Sequence, residues 1–565
     1  MTAMSDTDGA RPQPDARPSG RGVRDDLRAG VVLGVESVPD GLANGVLAGV
    51  NPLAALHAYL FGMVGAAFVT SSTFMAVQST GAMSVVVADT DLASRPDPGL
   101  SLYTLAVLTG IIMVVAGLLG GGVLLRFVPT AVMTGFVTAI GCNIVLGQLG
   151  GLTGSQPTGS NRILRALDLI THPRLVEPGA LVVGVISLVL VIALQRTRLG
   201  GLGLVVAVAV GSALAPVASR VTGTPVAVIG DLAEIPNALP TPALPQIGEV
   251  TFLLLPAVSL AFIGLVQGAA VATAVPNADG RPADASRDFI GQGAGNIVAG
   301  LFRGMPVGGS MSASTLVRTS GARSRLALVV AGAVMAVVIL LFAGVVAKVA
   351  MPAIAALLVV VGASAVKPAK VRSVVRTGAV QTTVLVATFV LTLVIPVQYA
   401  VLVGVALAIV LHVVQQSNRL RLTRLELDEP GRMRETSVPA TIGPGEVVVL
   451  QPYGSLFFAS APTLAALLPA VTEESVRPVV VLRLRGVDQV GLSLIDVLRR
   501  YALDLQRHGG ALKLVLSDRG VERLLEAEGL VDVIGGSNIY QGTEWRGETV
   551  RRAWTDALRE AAPPP

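Results

Sequence analysis

The chain has 565 residues, 52% of them hydrophobic and only 14% charged, with a formal net charge of +5 and a mean hydropathy of +0.70. An ordinary soluble domain is about a quarter charged, so the roughly three or four soluble domains suggested by length alone are excluded: this much apolar surface needs lipid. Aromatics are only 4% and the Lys and Arg sit mostly between apolar runs, which argues against a nucleic-acid partner.

Residues 1–28 begin polar and rich in Pro, Gly and Arg. They read as a disordered tail without the apolar stretch and cleavage site of a secretory signal. Apolar runs then recur from Ala29 to Gln416. A hydrocarbon core about 30 Å thick needs about 20 apolar residues per helix. The runs predict segments at 29–48, 53–71, 76–90, 101–121, 128–148, 178–195, 201–219, 250–275, 288–303, 308–318, 325–347, 350–366, 379–396 and 398–416. Three of these, 76–90, 288–303 and 308–318, are short and rich in Gly, Ser or Thr. The expected fold class is therefore an α-helical polytopic membrane protein.

The first segment carries Glu36, Asp40 and Asn44 at i, i+4 and i+8, which places them on one helix face. Ionisable groups within a span cost several kcal/mol unless they face a cavity or a partner. Glu36 and Asp40 are therefore candidates to line an aqueous cavity, or else to make a polar contact between helices. Pro39 is expected to interrupt this helix and free backbone groups.

The third segment is entered through Gln78, Ser79, Thr80 and Gly81. The tenth is entered through Gly308, Gly309, Ser310, Met311 and Ser312, after Pro306. A half-helix starting in mid-membrane exposes unpaired N–H groups and a positive dipole end. Two that face each other would make an anion site with no basic side chain. Small residues at the same places also permit close helix packing. The two half-helices are third in each run of seven segments, about 29–220 and 250–416. Because seven is odd, the second repeat would be inverted in the membrane.

Lys and Arg counts orient the chain. Arg21, Arg24 and Arg28 put the N-terminus in the cytoplasm, together with Arg126, Arg196, Arg198, Arg323, Arg325, Lys367, Lys370, Arg372, Arg376 and Arg419. The opposite side receives Asp89, Asp91, Asp97, Asp231, Glu234 and Glu249; Arg162, Arg165 and Arg174 dissent there. His57, early in the second segment, reads as a structural hydrogen bonder. Cys142, the one cysteine, reads as a packing residue. With four His and one Cys there is no metal-ligand cluster, and neither a Walker A sequence nor a cofactor motif is present. No enzyme activity is expected.

Residues 417–440 are charged and read as a linker. From 441 to about 560 the pattern is soluble α/β. Its strands are EVVVLQPYG, PVVVLRLRG and ALKLVLS, and its helices are APTLAALLPAVTEE, LSLIDVLRRYALDLQRHG and GVERLLEAEGL. That alternation implies βαβ units.

VESVPDGLANGVLAGVNPLAAL resembles the first-span region of the sulfate permease (SulP) family of anion transporters. Residues 287–327, RDFIGQGAGNIVAGLFRGMPVGGSMSASTLVRTSGARSRLA, resemble the family's gQGxxNixxGlfgGxP stretch, the Ser-rich half-helix after it and its SGAR-type turn. The C-terminal region resembles the STAS domain carried by that family. The resemblance implies fourteen segments in two inverted seven-segment repeats, a core and a gate domain, and a homodimer in the cell membrane with a cytoplasmic STAS domain. It also implies an elevator-like mechanism. A small anion (sulfate, bicarbonate or a dicarboxylate) would lie between Gln78, Ser79 and Thr80 on one side and Gly309, Ser310 and Met311 on the other. No cofactor is implied beyond Na⁺ or H⁺ as a coupling ion.

Three departures qualify this. Gln267 stands where the eighth segment often has an acidic residue linked to coupling, so that role is in doubt or moves to Asp40 or Glu36. Ala313 stands where some members have Arg. Gly491-Leu492-Ser493-Leu494 replaces the Asp-Ser-Ser/Thr-Gly phospho-switch of many STAS domains, which leaves packing or a cytoplasmic partner to that domain. An uncoupled channel, a membrane sensor with STAS output and a nucleobase transporter of the same fold stay open as alternatives.

Overall fold

The computed structural model describes residues 20–122, 129–159, 161–197, 201–417, 420–427, 433–454, 456–484, 491–517, 519–543 and 547–562. The chain divides into two compact units, Met1–Ala408 and Ile409–Pro565. The tail before residue 20, and Arg126, Arg198 and Arg419 of the expected basic loops, lie outside the described residues.

The first half of the larger unit begins with α1 (Gly20–Leu47), α2 (Pro52–His57), a π-helical turn at Ala58–Gly62 and α3 (Met63–Ala67). Next come a two-residue strand β1 (Val77–Gln78), α4 (Gly81–Ala88), α5 (Pro98–Leu118), α6 (Thr130–Thr153), the short α7 (Arg162–Thr171), α8 (Pro178–Gln195) and α9 (Leu202–Thr222). The second half repeats the order with α10 (Val250–Ala274), α11 (Ala285–Leu301), β2 (Gly308–Gly309), α12 (Met311–Thr319), α13 (Leu326–Leu341) and α14 (Ala343–Val346). It ends with α15 (Met351–Ala365), α16 (Pro368–Thr377), α17 (Ala379–Val394) and α18 (Val397–Ser417). Among the described residues, six stretches are long and apolar enough by themselves to cross a bilayer: Pro98–Leu118, Thr130–Thr153, Pro178–Gln195, Leu202–Thr222, Ile247–Ala274 and Met351–Thr377.

The packing follows an inverted repeat. α1 lies along α13 as α10 lies along α5. α11 packs on α5 as α3 packs on α13, and α8 packs on α15 as α17 packs on α6. α6 and α15 pack on each other, and so do β1 and β2. Each contact keeps a counterpart when an element is exchanged for its equivalent in the other half. Helices α1–α5 and α10–α13 thus surround the β1–β2 ribbon, while α6, α8, α9, α15 and α17 form a second group.

Close approach depends on small residues. A Cβ on Gly110 of α5 would sit 2.5 Å from the carbonyl oxygen of Gly293 on α11, and one on Gly293 would sit 2.7 Å from that of Gly110. Backbone-to-backbone contact of this kind drives helix association where lipid removes the hydrophobic effect.

Pro39 does not interrupt α1, which runs unbroken from Gly20 to Leu47. Proline deletes one N–H, but the helix is clasped on both sides of it. A Cβ on Gly34 would meet Val334 Cβ at 2.6 Å, and one on Gly45 would meet Pro52 Cα at 2.6 Å. α1 also begins at Gly20, so part of the expected tail is helical.

In the smaller unit, the residues expected to be linker carry β3 (Arg421–Leu427) and β4 (Met433–Thr436). They join a six-stranded sheet of order β4-β3-β5-β6-β7-β8, with β5 (Val447–Tyr453), β6 (Val479–Leu484), β7 (Ala511–Leu516) and β8 (Ile539–Gln541). β3 pairs antiparallel with β5, Arg421 opposite Tyr453, and buries Leu422 on one face of the sheet and Leu425 on the other. Strands β5 to β8 are parallel. Val448, Leu450, Val480, Leu482, Leu512 and Leu514 share one buried face with α19 (Ala461–Leu467), α20 (Leu492–Arg507), α21 (Arg519–Ala527) and α22 (Leu530–Ile534). Val449, Val479, Val481 and Val515 share the other with α23 (Glu548–Ala561). The first helix is shorter than predicted, ending at Leu467 before Pro469. Gly491 caps α20 without a side-chain bond.

Gly110→Val should lower stability by about 1–3 kcal/mol, the usual cost of overpacking, whereas Gly248→Ala, where a Cβ meets nothing within 4 Å, should leave it unchanged. Thermal unfolding in detergent measures both; equal midpoints would count against the glycine seam.

Candidate anion site at the half-helix ends

Two short half-helices start from one ribbon. Val77 pairs with Gly309 and Gln78 with Gly308, antiparallel. Thr80 then caps α4 and Ser310 caps α12, accepting from Met83 N and Ala313 N at 3.4 Å each. The first intrahelical bonds are Ser84 N to Thr80 O, 2.9 Å, and Ser314 N to Ser310 O, 3.0 Å. The N–H groups of Gly81 and Ala82, and of Met311 and Ser312, therefore have no acceptor within their helices. With 8 and 9 residues, the helices reach only about 12–14 Å, less than half a bilayer core.

A polar frame holds the ribbon. Ser310 N donates to Ala76 O, 2.9 Å, and Ala76 N to Ser314 Oγ, 2.9 Å. Asn296 of α11 closes both backbone groups of Val307, donating from Nδ2 to its carbonyl at 2.6 Å and accepting its N–H at Oδ1 at 2.9 Å. Gln292 Oε1 accepts from Gly309 N at 2.9 Å. The ribbon passes so near α10 that a Cβ on Gly309 would sit 3.2 Å from Gly268 Cα.

A cavity of about 700 Å³ opens on the α12 ends, lined by Glu36, Thr80, Gln267, Gly309, Ser310 and Met311. Gln195, Gly201, Leu204, Ser364 and Lys367 form its facing wall. It thus lies at the seam between the two helix groups. The half-helix ends carry no basic side chain in the cavity, but Lys367 on the wall brings one positive charge that the sequence reading had not placed there.

The other predicted residues lie deeper. Ser79 is buried, its Oγ donating to Pro306 O at 3.0 Å. Gln78 is buried between Ser37, Asp40 and Ser310. These two form the floor beneath the cavity. Gln267 is held to Thr80, its Nε2 3.0 Å from Thr80 Oγ1. Ala313 is buried in the first turn of α12. Glu36 faces the cavity, but Asp40 is not among the lining residues: its Oδ2 accepts from Tyr59 OH at 2.6 Å. One face of a helix is wide enough for one carboxylate to meet the cavity and the next to meet a packed neighbour. His57 Nδ1 lies 3.3 Å from Arg303 O, and its buried Nε2 has no hydrogen-bond partner among the described residues. Cys142 is partly exposed.

Tyr59, Gln292 and Asn296 were not singled out from the sequence. For the last two the signal was present, since they stand at i and i+4 within the GQGAGN stretch.

This arrangement defines a class: a multi-pass helical membrane protein with two half-helices meeting on a two-stranded ribbon, followed by an α/β domain. The sulfate permease family pattern matches residues 23–388 and the STAS domain pattern residues 439–544, so the chain belongs to the sulfate permease family, a family of transporters, not enzymes. It is 26% identical to the bicarbonate transporter BicA of Picosynechococcus over 79% of this chain and 80% of that one. It is 25% identical to YvdB of Bacillus subtilis, provisionally named a sulfate transporter, over 91% and 95%. The murine Solute Carrier 26 family member A9 anion transporter, solved in the inward-facing state, shares the fold with a TM-score of 0.82 at 18% identity, over 96% of this chain and 92% of that one.

Asn296→Ala should unpair both buried backbone groups of Val307, at about 1–3 kcal/mol each, and so lower the melting temperature in detergent. An unchanged melting curve would show that the ribbon does not depend on Asn296.

Proposed function

We propose that the protein is a secondary transporter of a small inorganic or carboxylic anion, bound between the N-terminal ends of α4 and α12. The observation that carries this reading is the pair of unfilled half-helix starts on one ribbon, opening to a single cavity. Helix N-termini attract anions through their free N–H groups and dipole. The hydroxyls of Thr80 and Ser310 and the Lys367 ammonium supply the remaining polar contacts. The relatives named for sulfate and bicarbonate support that substrate class.

An elevator-like movement of the ribbon-bearing helices past the second group belongs to the same reading. The cavity lies at their seam on one side. On the other, Asp89 at the end of α4 accepts from Arg162 Nη2 at 2.7 Å and from Val397 N at 3.1 Å. This bridge ties α4 to α7 and α18 and gives the dissenting Arg162 its partner; both side chains line a second cavity, of about 680 Å³. Glu36, the carboxylate at the cavity, is the proposed exchange site for H⁺ or Na⁺. The proposal extends to a homodimer in the plasma membrane with both termini cytoplasmic, the side to which the positive-inside rule assigns Arg323, Arg325 and Lys367.

Ser310→Pro deletes the N–H that meets Ala76 O as well as the cap, and Ser79→Pro strains the matching turn. Each should abolish uptake of tracer sulfate and bicarbonate into proteoliposomes while membrane insertion survives; normal uptake by both would move the site elsewhere. Glu36→Gln should leave anion exchange but remove the accumulation of anion driven by imposed pH or Na⁺ gradients, measured at one fixed external pH. Retained accumulation would release Glu36 from coupling. A panel of sulfate, bicarbonate, chloride, fumarate and succinate, with and without those gradients, identifies the anion.

A further inference from the structure

We propose that Tyr59 is a positioning residue that transmits the protonation state of Asp40 to the start of the first half-helix. The inference rests on the anion site proposed above and deepens it.

The Tyr59 hydroxyl is fully buried and has two acceptors in reach, Asp40 Oδ2 at 2.6 Å and the carbonyl oxygen of Ser79 at 2.9 Å. A phenol has one proton to give. Among the described residues, the other donor to the phenol oxygen is Asn44 Nδ2, at 3.0 Å; the same amide donates to Asp40 O at 3.0 Å and lies 3.3 Å from Ser79 O. When Asp40 is ionised, the charge-assisted bond takes the phenol proton, since bonds to a carboxylate are about twice as strong as neutral ones. The buried Ser79 carbonyl is then left with the long contact from Asn44. When Asp40 is protonated, its own O–H donates to the phenol oxygen across the same 2.6 Å, and the Tyr59 proton turns to Ser79. No heavy atom needs to move.

Ser79 directly precedes Thr80, the cap of α4. Its carbonyl shares one peptide plane with the Thr80 N–H, so anchoring it steadies the cap from which the Gly81 and Ala82 N–H groups follow, which is preorganisation of the proposed anion site. Gln78 links the same carboxylate to the second half-helix through longer contacts, 3.4 Å to Asp40 Oδ2 and 3.5 Å to Ser310 Oγ. The anion should therefore bind more tightly as pH falls.

The other ionisable groups around Asp40 are few. Glu36 lies one turn away on the same helix. His57 precedes Tyr59 by two residues and contacts Arg303 O. Of the helices packed on α1, α4, α13 and α15 carry no charged residue. Arg220 of α9 and Arg318 of α12 are exposed near helix ends, and α6 offers only Cys142.

Uptake of tracer sulfate and bicarbonate by the full-length protein in proteoliposomes tests this between about pH 8 and about pH 5.5. The apparent KM of the wild type should fall about threefold to tenfold on acidification, the weight of one buried hydrogen bond. Tyr59→Phe cannot donate, and its KM should be flat with pH. Asp40→Asn donates to the phenol oxygen permanently, so its KM should be flat at the low-pH value of the wild type. A merely structural Tyr59 would raise KM at all pH values and keep its slope. A second readout does not need transport: with Glu36→Gln as background to remove the other buried carboxyl, the infrared band of a protonated carboxyl should titrate with Asp40 and Tyr59 intact and with Tyr59→Phe, and be lost with Asp40→Asn. A wild-type KM that does not vary with pH, a wild-type slope in Tyr59→Phe, or the high-pH KM in Asp40→Asn would each overturn the proposal. Normal uptake by Ser310→Pro would instead remove the site itself. An inactive Ser310→Pro together with a pH-dependent Tyr59→Phe sinks the Tyr59 proposal alone.

Discussion

Everything in the larger unit is arranged around one constraint: a backbone that leaves helical geometry inside hydrocarbon must have its N–H and C=O groups satisfied by protein. The β1–β2 ribbon is such a backbone. It solves the problem by pairing Val77 and Gln78 with Gly309 and Gly308 and by recruiting Asn296, Gln292 and Ser314 for the groups that the ribbon cannot pair. What the frame leaves unpaired are the N–H groups in the first turns of two facing half-helices. On the proposed reading, the anion site is the remainder of a satisfied network.

Such a network requires backbones to come close, and that explains the glycines. A Cβ on Gly110 or Gly293 would collide with the other's carbonyl oxygen, and Gly309 lies tight against Gly268. The inverted repeat follows from the same economy. Exchanging equivalent elements preserves the packing of α1 on α13, of α11 on α5 and of α8 on α15, so one packing solution serves much of both halves, and the ribbon lies where the halves meet. The second helix group offers a different surface, with Lys367, Gln195 and Ser364 facing the cavity and Arg162 meeting Asp89 on the far side. A charge that contradicted the loop bias is explained by its partner.

Much of this was legible in the chain. Period and apolar length located the helices because lipid demands them. Ser and Thr before short apolar runs marked the two caps because a helix start needs an acceptor. Strand–helix alternation marked the α/β domain. Other features were not legible. Pro39 reads as a break, yet Val334 and Pro52 close on either side and the helix continues. Arg421–Leu427 reads as linker because of its charges, yet pairing with β5 buries Leu422 and Leu425 on the two faces of the sheet. Glu36 and Asp40 look equivalent on one face, and only the neighbours separate them.

The sequence by itself determined that the chain is a membrane protein with two short half-helices and a soluble C-terminal domain, because hydropathy, period and capping chemistry are local properties. Which carboxylate meets the cavity, which carbonyl Tyr59 reaches, and which side chains hold the ribbon were decided only by the tertiary structure. Those are contacts across wide gaps in the chain, Tyr59 to Ser79, Gln292 to Gly309, Asp89 to Val397. The direction of a side chain at such a contact depends on how neighbouring helices pack, which no local pattern records.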